Sequence, residues 1–203
     1  LGEGRPAEFS DHASFEFTTA CSQPPYHTSN VKLTLDIFDE TRSIPEATLG
    51  WLLSHAQRAC RRLDCTGGVR VRVVADLAMA AAHEEFAGVS GTTDVLTFDM
   101  SDPEEVTHPP RPEIAAITNG EVIGPYSLDA DLMICLDEAT RQSSAGGYPF
   151  ERELLLYIIH GILHCIGFDD HEEAEFAAMH AVEDAVLASI GVGAVFHRPP
   201  SVN

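Results

Sequence analysis

A chain of 203 residues has room for one domain with a full core, or one domain and a tail. Its formal net charge of −20 repels polyanions at long range, so composition alone argues against nucleic acid as a partner. No run approaches the ~18 apolar residues of a membrane helix, and the N-terminus lacks the basic flank and apolar stretch of a secretory signal. A cytoplasmic protein with no membrane partner is the expectation. Five cysteines without framework spacing (Cys21, Cys60, Cys65, Cys135, Cys165) fit reduced thiols there.

Residues 1–29 carry Gly, Pro and Ser without a period and read as a flexible extension. From Val31 the chain alternates, with Val31, Leu33, Leu35 and Ile37 on one side and Lys32, Thr34 and Asp36 on the other, which predicts a half-buried strand. Ser43-x-x-Glu46 has the form of a capping box, and Leu49, Leu52, Leu53, Ala56, Cys60 and Leu63 follow at helical spacing. Arg58, Arg61 and Arg62 share one face of that helix. They are either a solvated face or a phosphate-contact patch, since seven of the twelve basic residues lie between Lys32 and Arg72.

Val69, Val71 and Val73 predict a second strand, about 76–86 a helix, and 94–98 a short strand. The stretch of about 101–126 is rich in Pro, Glu and Gly and reads as a loop insertion. A further strand covers 132–136, and an apolar helix runs from Glu151 to Ile166. The last helix, about 172–190, is expected to bury Phe176, Met179, Val186, Leu187 and Ile190, with a loose tail over 192–203. Cys135 and Cys165 read as small buried hydrophobes, and His55, His83 and His180 as exposed helix histidines. Thr93 and Asp94 read as pins for a strand end, and Glu153 as either a partner of a neighbouring ring or a solvated acid. The whole is one α+β or α/β sandwich over 30–191.

The chemistry concentrates in His160-Gly161-Ile162-Leu163-His164-Cys165-Ile166-Gly167-Phe168-Asp169-Asp170-His171. Two histidines four apart lie on one helix face, so their rings can converge on one cation. Gly167 permits a sharp turn, which brings the Asp-Asp-His cluster back toward them. Three ligands on an open face leave a position for water, as in a catalytic zinc site, and such a zinc lowers the pKa of that water to ~7. In His-Glu-x-x-His proteases a glutamate after the first histidine is the general base. Here that position is Gly161, which argues against peptide hydrolysis by that route.

This segment resembles the signature of the YbeY family of metal-dependent endoribonucleases, His-Gly-x-Leu-His-x-x-Gly-Tyr-Asp-His. Gly91-Thr-Thr93-Asp94-Val95-Leu96-Thr97-Phe98 is similar to the family's Pro-Thr-Asp-Val-Leu-Ser-Phe strand, and Asp129-Ala-Asp131-Leu-Met-Ile to its Gly-Asp-Ile strand, with a helix starting at Asp137-Glu-Ala. The resemblance implies a single α+β domain with a central mixed sheet, helices packed against it, and a zincin-like metal cleft at the His-x-x-x-His helix. It implies one Zn²⁺ per chain and cleavage of single-stranded RNA in ribosomal RNA maturation, at the small-subunit 3′ end, and in ribosome quality control. Ribosomal proteins or a GTPase are the further partners it suggests. A non-catalytic, zinc-stabilised ribosome assembly factor is the alternative.

Two positions depart from the family pattern. The third ligand stands ten residues after the first histidine, which is Asp170 here, giving His160, His164 and Asp170 with His171 as the alternative third ligand. Asp169 is left to orient a ligand ring. The family's Tyr-Arg-Gly reads Phe86-Ala87-Gly88, so an arginine that would hold a phosphate is missing. Arg141, or the patch of Arg58, Arg61 and Arg62, is the candidate replacement.

Overall fold

In the computed structural model the described residues are 32–102, 111, 113–121 and 124–196. The N-terminal extension with Cys21, the middle of the predicted insertion and the end of the tail lie outside them. Strands β1 (Thr34–Asp39), β2 (Cys65–Val74) and β4 (Tyr126–Cys135) run parallel, while β3 (Val95–Asp99) lies antiparallel on β4. The order is β1-β2-β4-β3, so the domain is α+β with a mixed sheet. Parallel neighbours need a crossover, and α1 (Glu46–Arg62) supplies it between β1 and β2. The remaining helices are α2 (Asp76–Ala87), α3 (Ile114–Asn119), α4 (Leu136–Gly146), α5 (Phe150–Cys165) and α6 (Glu173–Ser189).

Period-2 alternation divides the sheet into two faces. Val69, Val71 and Val73 of β2 and Leu128, Ala130, Leu132 and Ile134 of β4 enter the main core with α1, α5 and α6. Val74, Met133 and Cys135 point the other way and meet Met79 and Ala82 of α2. At the centre of the main core, eleven of the sixteen residues of α5 are buried, so this helix has no solvent face and is enclosed by its neighbours. That enclosure fixes where its histidines stand.

Several elements differ from the sequence expectation. Ser43 does not cap α1; the helix begins at Glu46 behind Pro45 with no side-chain cap bond. The Ser43 hydroxyl donates instead to the Thr41 carbonyl (3.2 Å), and the Asp39 carboxylate organises this turn through the amides of Thr41 and Ile44 (both 2.9 Å). β2 starts four residues before Val69, because pairing with β4 carries Gly67 and Gly68 into the ladder. β4 starts six residues before Leu132, since Asp129 and Asp131 sit on its outer face and pair with Arg70 of β2. The expected 101–126 insertion holds α3 and the start of β4. Phe176 is exposed and not in the core. The tail is held as far as Phe196: Asp184 accepts the amides of Val195 (2.7 Å) and Phe196 (3.1 Å), and Arg152 donates to the carbonyls of Gly193 (3.0 Å) and Ala194 (3.3 Å).

Cys60, Cys65, Cys135 and Cys165 are free and buried, and burial pushes the thiols of Cys60 and Cys165 up to about 12. Arg141 of α4 ties down the start of α2. It donates to both oxygens of Asp76 (2.6 and 2.8 Å) and to Glu138 (2.6 Å). These bonds hold the Asp76 carboxyl down at about 2.

Two outcomes follow from this packing. A Cβ at Gly161 would stand 2.7 Å from Leu132 Cδ2 and 3.1 Å from Thr97 Oγ1, because α5 lies directly on β3 and β4. Gly161→Glu is therefore expected to lower unfolding free energy in a denaturant titration by about 3 kcal/mol or more, from overpacking and a buried charge, and Gly161→Ala by much less. Asp76 ionises more readily folded (about 2) than at its ordinary 3.8, so it stabilises the fold above pH 4 and this is lost as pH falls toward 2. Arg141→Met should lower the melting temperature at neutral pH, and the difference from wild type should disappear near pH 2.

Candidate metal centre

The last turns of α5 carry His160 and His164, one turn apart on the same face. Gly167 ends the helix in a Schellman cap. At φ +92° its amide donates to the His164 carbonyl (3.0 Å), and the Phe168 amide donates to Leu163 (3.0 Å). A left-handed residue of this kind costs roughly 1–2 kcal/mol with any side chain other than glycine or Asn/Asp. The buried Phe168 side chain joins Leu163 in the core and anchors the reversal. Its carbonyl then accepts the His164 Nδ1 proton at 3.1 Å. The cap thus orients a ring as well as stopping a helix.

The other ring is held from α6. Glu183 is fully buried, with Oε1 2.7 Å from His160 Nδ1 and Oε2 2.6 Å from Nδ1 of His180. Both Nδ1 atoms of the pair donate to acceptors, so both Nε2 atoms present lone pairs, and these stand 2.9 Å apart. Two lone pairs at that distance repel unless a proton or a cation lies between them. Asp170 completes the group, its oxygens 3.6 Å from His160 Nε2 and 3.9 Å from His164 Nε2. A tetrahedral ion with bonds of ~2.0–2.2 Å spaces its ligands about 3.3–3.5 Å apart, so shifts of a few tenths of an ångström close these three around one. Neutral imidazole nitrogens and one carboxylate are a donor set that suits Zn²⁺.

Charge favours the same occupant. Burial opposes a charged His160 ring, but the Glu183 hydrogen bond and the charges of Glu183, Asp94 and Asp170 outweigh it and raise its pKa. A field that holds a proton on this ring also draws a divalent cation to it. His171 turns away: its side chain is 82% exposed, and its Nδ1 is bound by Asp169. Asp169 therefore orients His171 and neither of the converging rings, whose holders are Glu183 and the Phe168 carbonyl.

His160 and Asp170 open onto a cavity of about 460 Å³ lined also by Asp94, Glu138, Glu153 and Glu183. Among the described residues, no Lys or Arg lines it. Arg141 is held by Asp76 and Glu138, and Arg62 caps α3 through the carbonyls of Ala116, Ile117 and Glu121. Arg58 and Arg61 are exposed on α1, and Ala87 is exposed at the end of α2. His55 stacks on Trp51 and His83 bonds the Gly91 carbonyl (3.0 Å), while His180 lines the cavity half-buried and is not the exposed residue its position suggested. Thr93 and Asp94 do pin the start of β3, the Asp94 carboxylate accepting the Val95 amide at 2.8 Å, and both also face the cavity. Glu153 is buried and accepts the Tyr148 hydroxyl.

Glu183 is the functional residue that sequence reasoning passed over. Its signal is an acid set between Val182 and Val186 on the buried stripe of α6. Glu183→Gln keeps the shape but can accept from only one of two rings and turns an N–H toward the other. A competition titration with a chelator should show divalent-metal affinity reduced about 10–100-fold, the scale of such outer partners; unchanged affinity would refute the role.

Comparison with known proteins places this geometry. Residues 35–191 match the model of the family described as Endoribonuclease YbeY. Endoribonuclease YbeY of Mycobacterium ulcerans is 33% identical over 138 residues, covering 67% of this chain and 72% of the relative. That of Halalkalibacterium halodurans is 26% identical over 165 residues, 80% of this chain and 98% of the relative. The solution structure of TM1509 from Thermotoga maritima aligns with 84% of this chain and all of its own, at 20% identity and a TM-score of 0.46. On the match over residues 35–191, the chain belongs to the YbeY family.

Proposed function

We propose that this protein is a zinc-dependent endoribonuclease that cuts single-stranded RNA in the cytoplasm. Its role would be in ribosomal RNA maturation, at the small-subunit 3′ end, and in ribosome quality control, alongside ribosomal proteins or a GTPase. The observation that carries the reading is the pair of Nε2 lone pairs converging 2.9 Å apart beside Asp170, in a YbeY-family chain. His160, His164 and Asp170 would hold the ion, and His171 is too far turned out to replace Asp170 without breaking its bond to Asp169. Bound there, zinc would supply Lewis acidity, polarising a phosphoryl oxygen and easing the ionisation of water at neutral pH.

The chain's own residues set the rest. Glu183 and the Phe168 carbonyl keep both Nδ1 atoms protonated and both Nε2 atoms free. Gly161 brings α5 against β3, so Asp94 at the strand's start faces the same cavity as His160. The described cation at the turn beside His164 is Arg111, over the Phe168 ring. With no arginine at the cavity wall among the described residues, neutralisation of a phosphate inside the cavity would fall to the metal. That feature also favours the second reading, a zinc-braced assembly factor that binds its partner without cutting.

Metal content and cleavage of single-stranded against duplex RNA, measured together, decide the matter. His164→Ala and Asp170→Ala should lose metal and cleavage in parallel, by more than the roughly 100-fold that outer partners contribute, and His171→Ala should keep both. Cleavage by metal-free protein at the wild-type rate would overturn the mechanism. Wild type that holds metal and RNA but cuts nothing would establish the assembly factor instead.

A further inference from the structure

The wall of the cavity opposite β3 is aromatic, and nothing in the metal chemistry uses it. Phe176 and His180 of α6 meet edge to face with centroids 4.0 Å apart, and Phe196 packs on the His180 ring at 3.7 Å and 33°. All three line the cavity. His180 is fixed by Glu183 (2.6 Å), the same carboxylate that holds His160. The stack and the metal centre are therefore built on one buried group.

We propose that Phe176 and Phe196 form a base-stacking subsite for single-stranded RNA, next to the metal centre; this rests on the ribonuclease reading above. Three observations carry it. The two phenyl rings are 48% and 43% exposed at a cavity wall, although buried positions are the norm for rings of this size. Phe196 is also held there deliberately: the amides of Val195 and Phe196 bond Asp184, and Arg152 binds the carbonyls of Gly193 and Ala194. This strap lies beyond residue 191, where the family match ends.

The third observation is charge. Asp94, Glu138, Glu153, Asp170 and Glu183 line the cavity, with no Lys or Arg among its described lining residues, so its excess of negative charge disfavours a phosphate except at a bound cation. A nucleobase is neutral, has a π-face for the phenyl rings, and carries N–H groups that carboxylates can accept. The arrangement thus sorts the two parts of a nucleotide. The base enters the acidic, aromatic side, and the phosphate stays at the metal. Stacking of this kind tolerates any base and requires an unpaired one, which selects single strands.

The test uses the full-length, metal-loaded protein and a short single-stranded 2′-O-methyl RNA carrying 2-aminopurine at one position. Binding should quench the 2-aminopurine when it reaches the subsite. Phe176→Ala and Phe196→Ala should each weaken binding about ten-fold and remove the quench, and Phe196→Tyr should restore both. With cleavable RNA the alanine variants should raise KM and leave kcat within about two-fold, the pattern of uniform binding. Quenching and affinity unchanged in both alanine variants, with cleavage intact, would overturn the subsite and leave the ribonuclease reading standing. Wild type that neither binds nor cuts single-stranded RNA would remove both.

Discussion

Two imidazole nitrogens facing each other at 2.9 Å set the terms for the rest of the molecule. Neither ring can relieve the repulsion by changing tautomer, because His160 Nδ1 is committed to the buried Glu183 and His164 Nδ1 to the Phe168 carbonyl. Either ring could turn only by abandoning a buried acceptor, which costs roughly 1–3 kcal/mol before any new contact is made. The pair is therefore a fixed electron-rich point, and Asp170 adds a carboxylate beside it.

Much of the fold is arranged to keep that point still. α5 is buried on nearly every side, so the two histidines cannot shift without moving the core. Gly161 lets the helix approach β3 and β4 closely enough for Asp94 to share the cavity with His160. α6 delivers Glu183 from the far side, and Gly167 folds the chain back so that one carbonyl and one carboxylate, from Phe168 and Asp170, arrive near His164. These supports come from α5, from α6 and from the turn after α5, and loss of any one would leave a ring or the Asp170 carboxylate unsupported.

How much of this was legible in the sequence depends on the range of the interaction. The His-x-x-x-His face, the glycine turn and the approach of the acidic cluster are local, because helical spacing and a left-handed glycine fix them within a dozen residues. The choice between Asp170 and His171 was not local. What favours Asp170 is Asp169 holding the His171 ring, a rotamer outcome that spacing does not encode. Glu183 lies twenty-three residues from His160 and could be found only as an acid misplaced on an apolar stripe. The strands were placed by alternation but cut short, since Gly67, Gly68, Asp129 and Asp131 break the apolar pattern while their backbones stay paired. Arg62 looked like a free cation on a helix face, and only the fold reveals α3 waiting for its guanidinium.

The net charge of −20 argued against a nucleic-acid partner, yet the family assignment points toward RNA, and the cavity shows how both can hold. A protein that binds RNA through a basic surface gains affinity from every phosphate and so discriminates little between strands. Among the described arginines, Arg141 is paired with Asp76 and Glu138, Arg70 with Asp129 and Asp131, and Arg72 with Glu40, while Arg111 lies over the Phe168 ring at the turn after α5. If the proposed function holds, affinity would come largely from contacts that do not depend on protein cations: a metal at the converging nitrogens and a ring stack for a base. On that reading the site would be silent without its ion, because the carboxylates lining the cavity would repel the substrate until a divalent charge offset them. On the proposed reading, the acidity that seemed to exclude RNA would instead make recognition conditional on the metal and on an unpaired base.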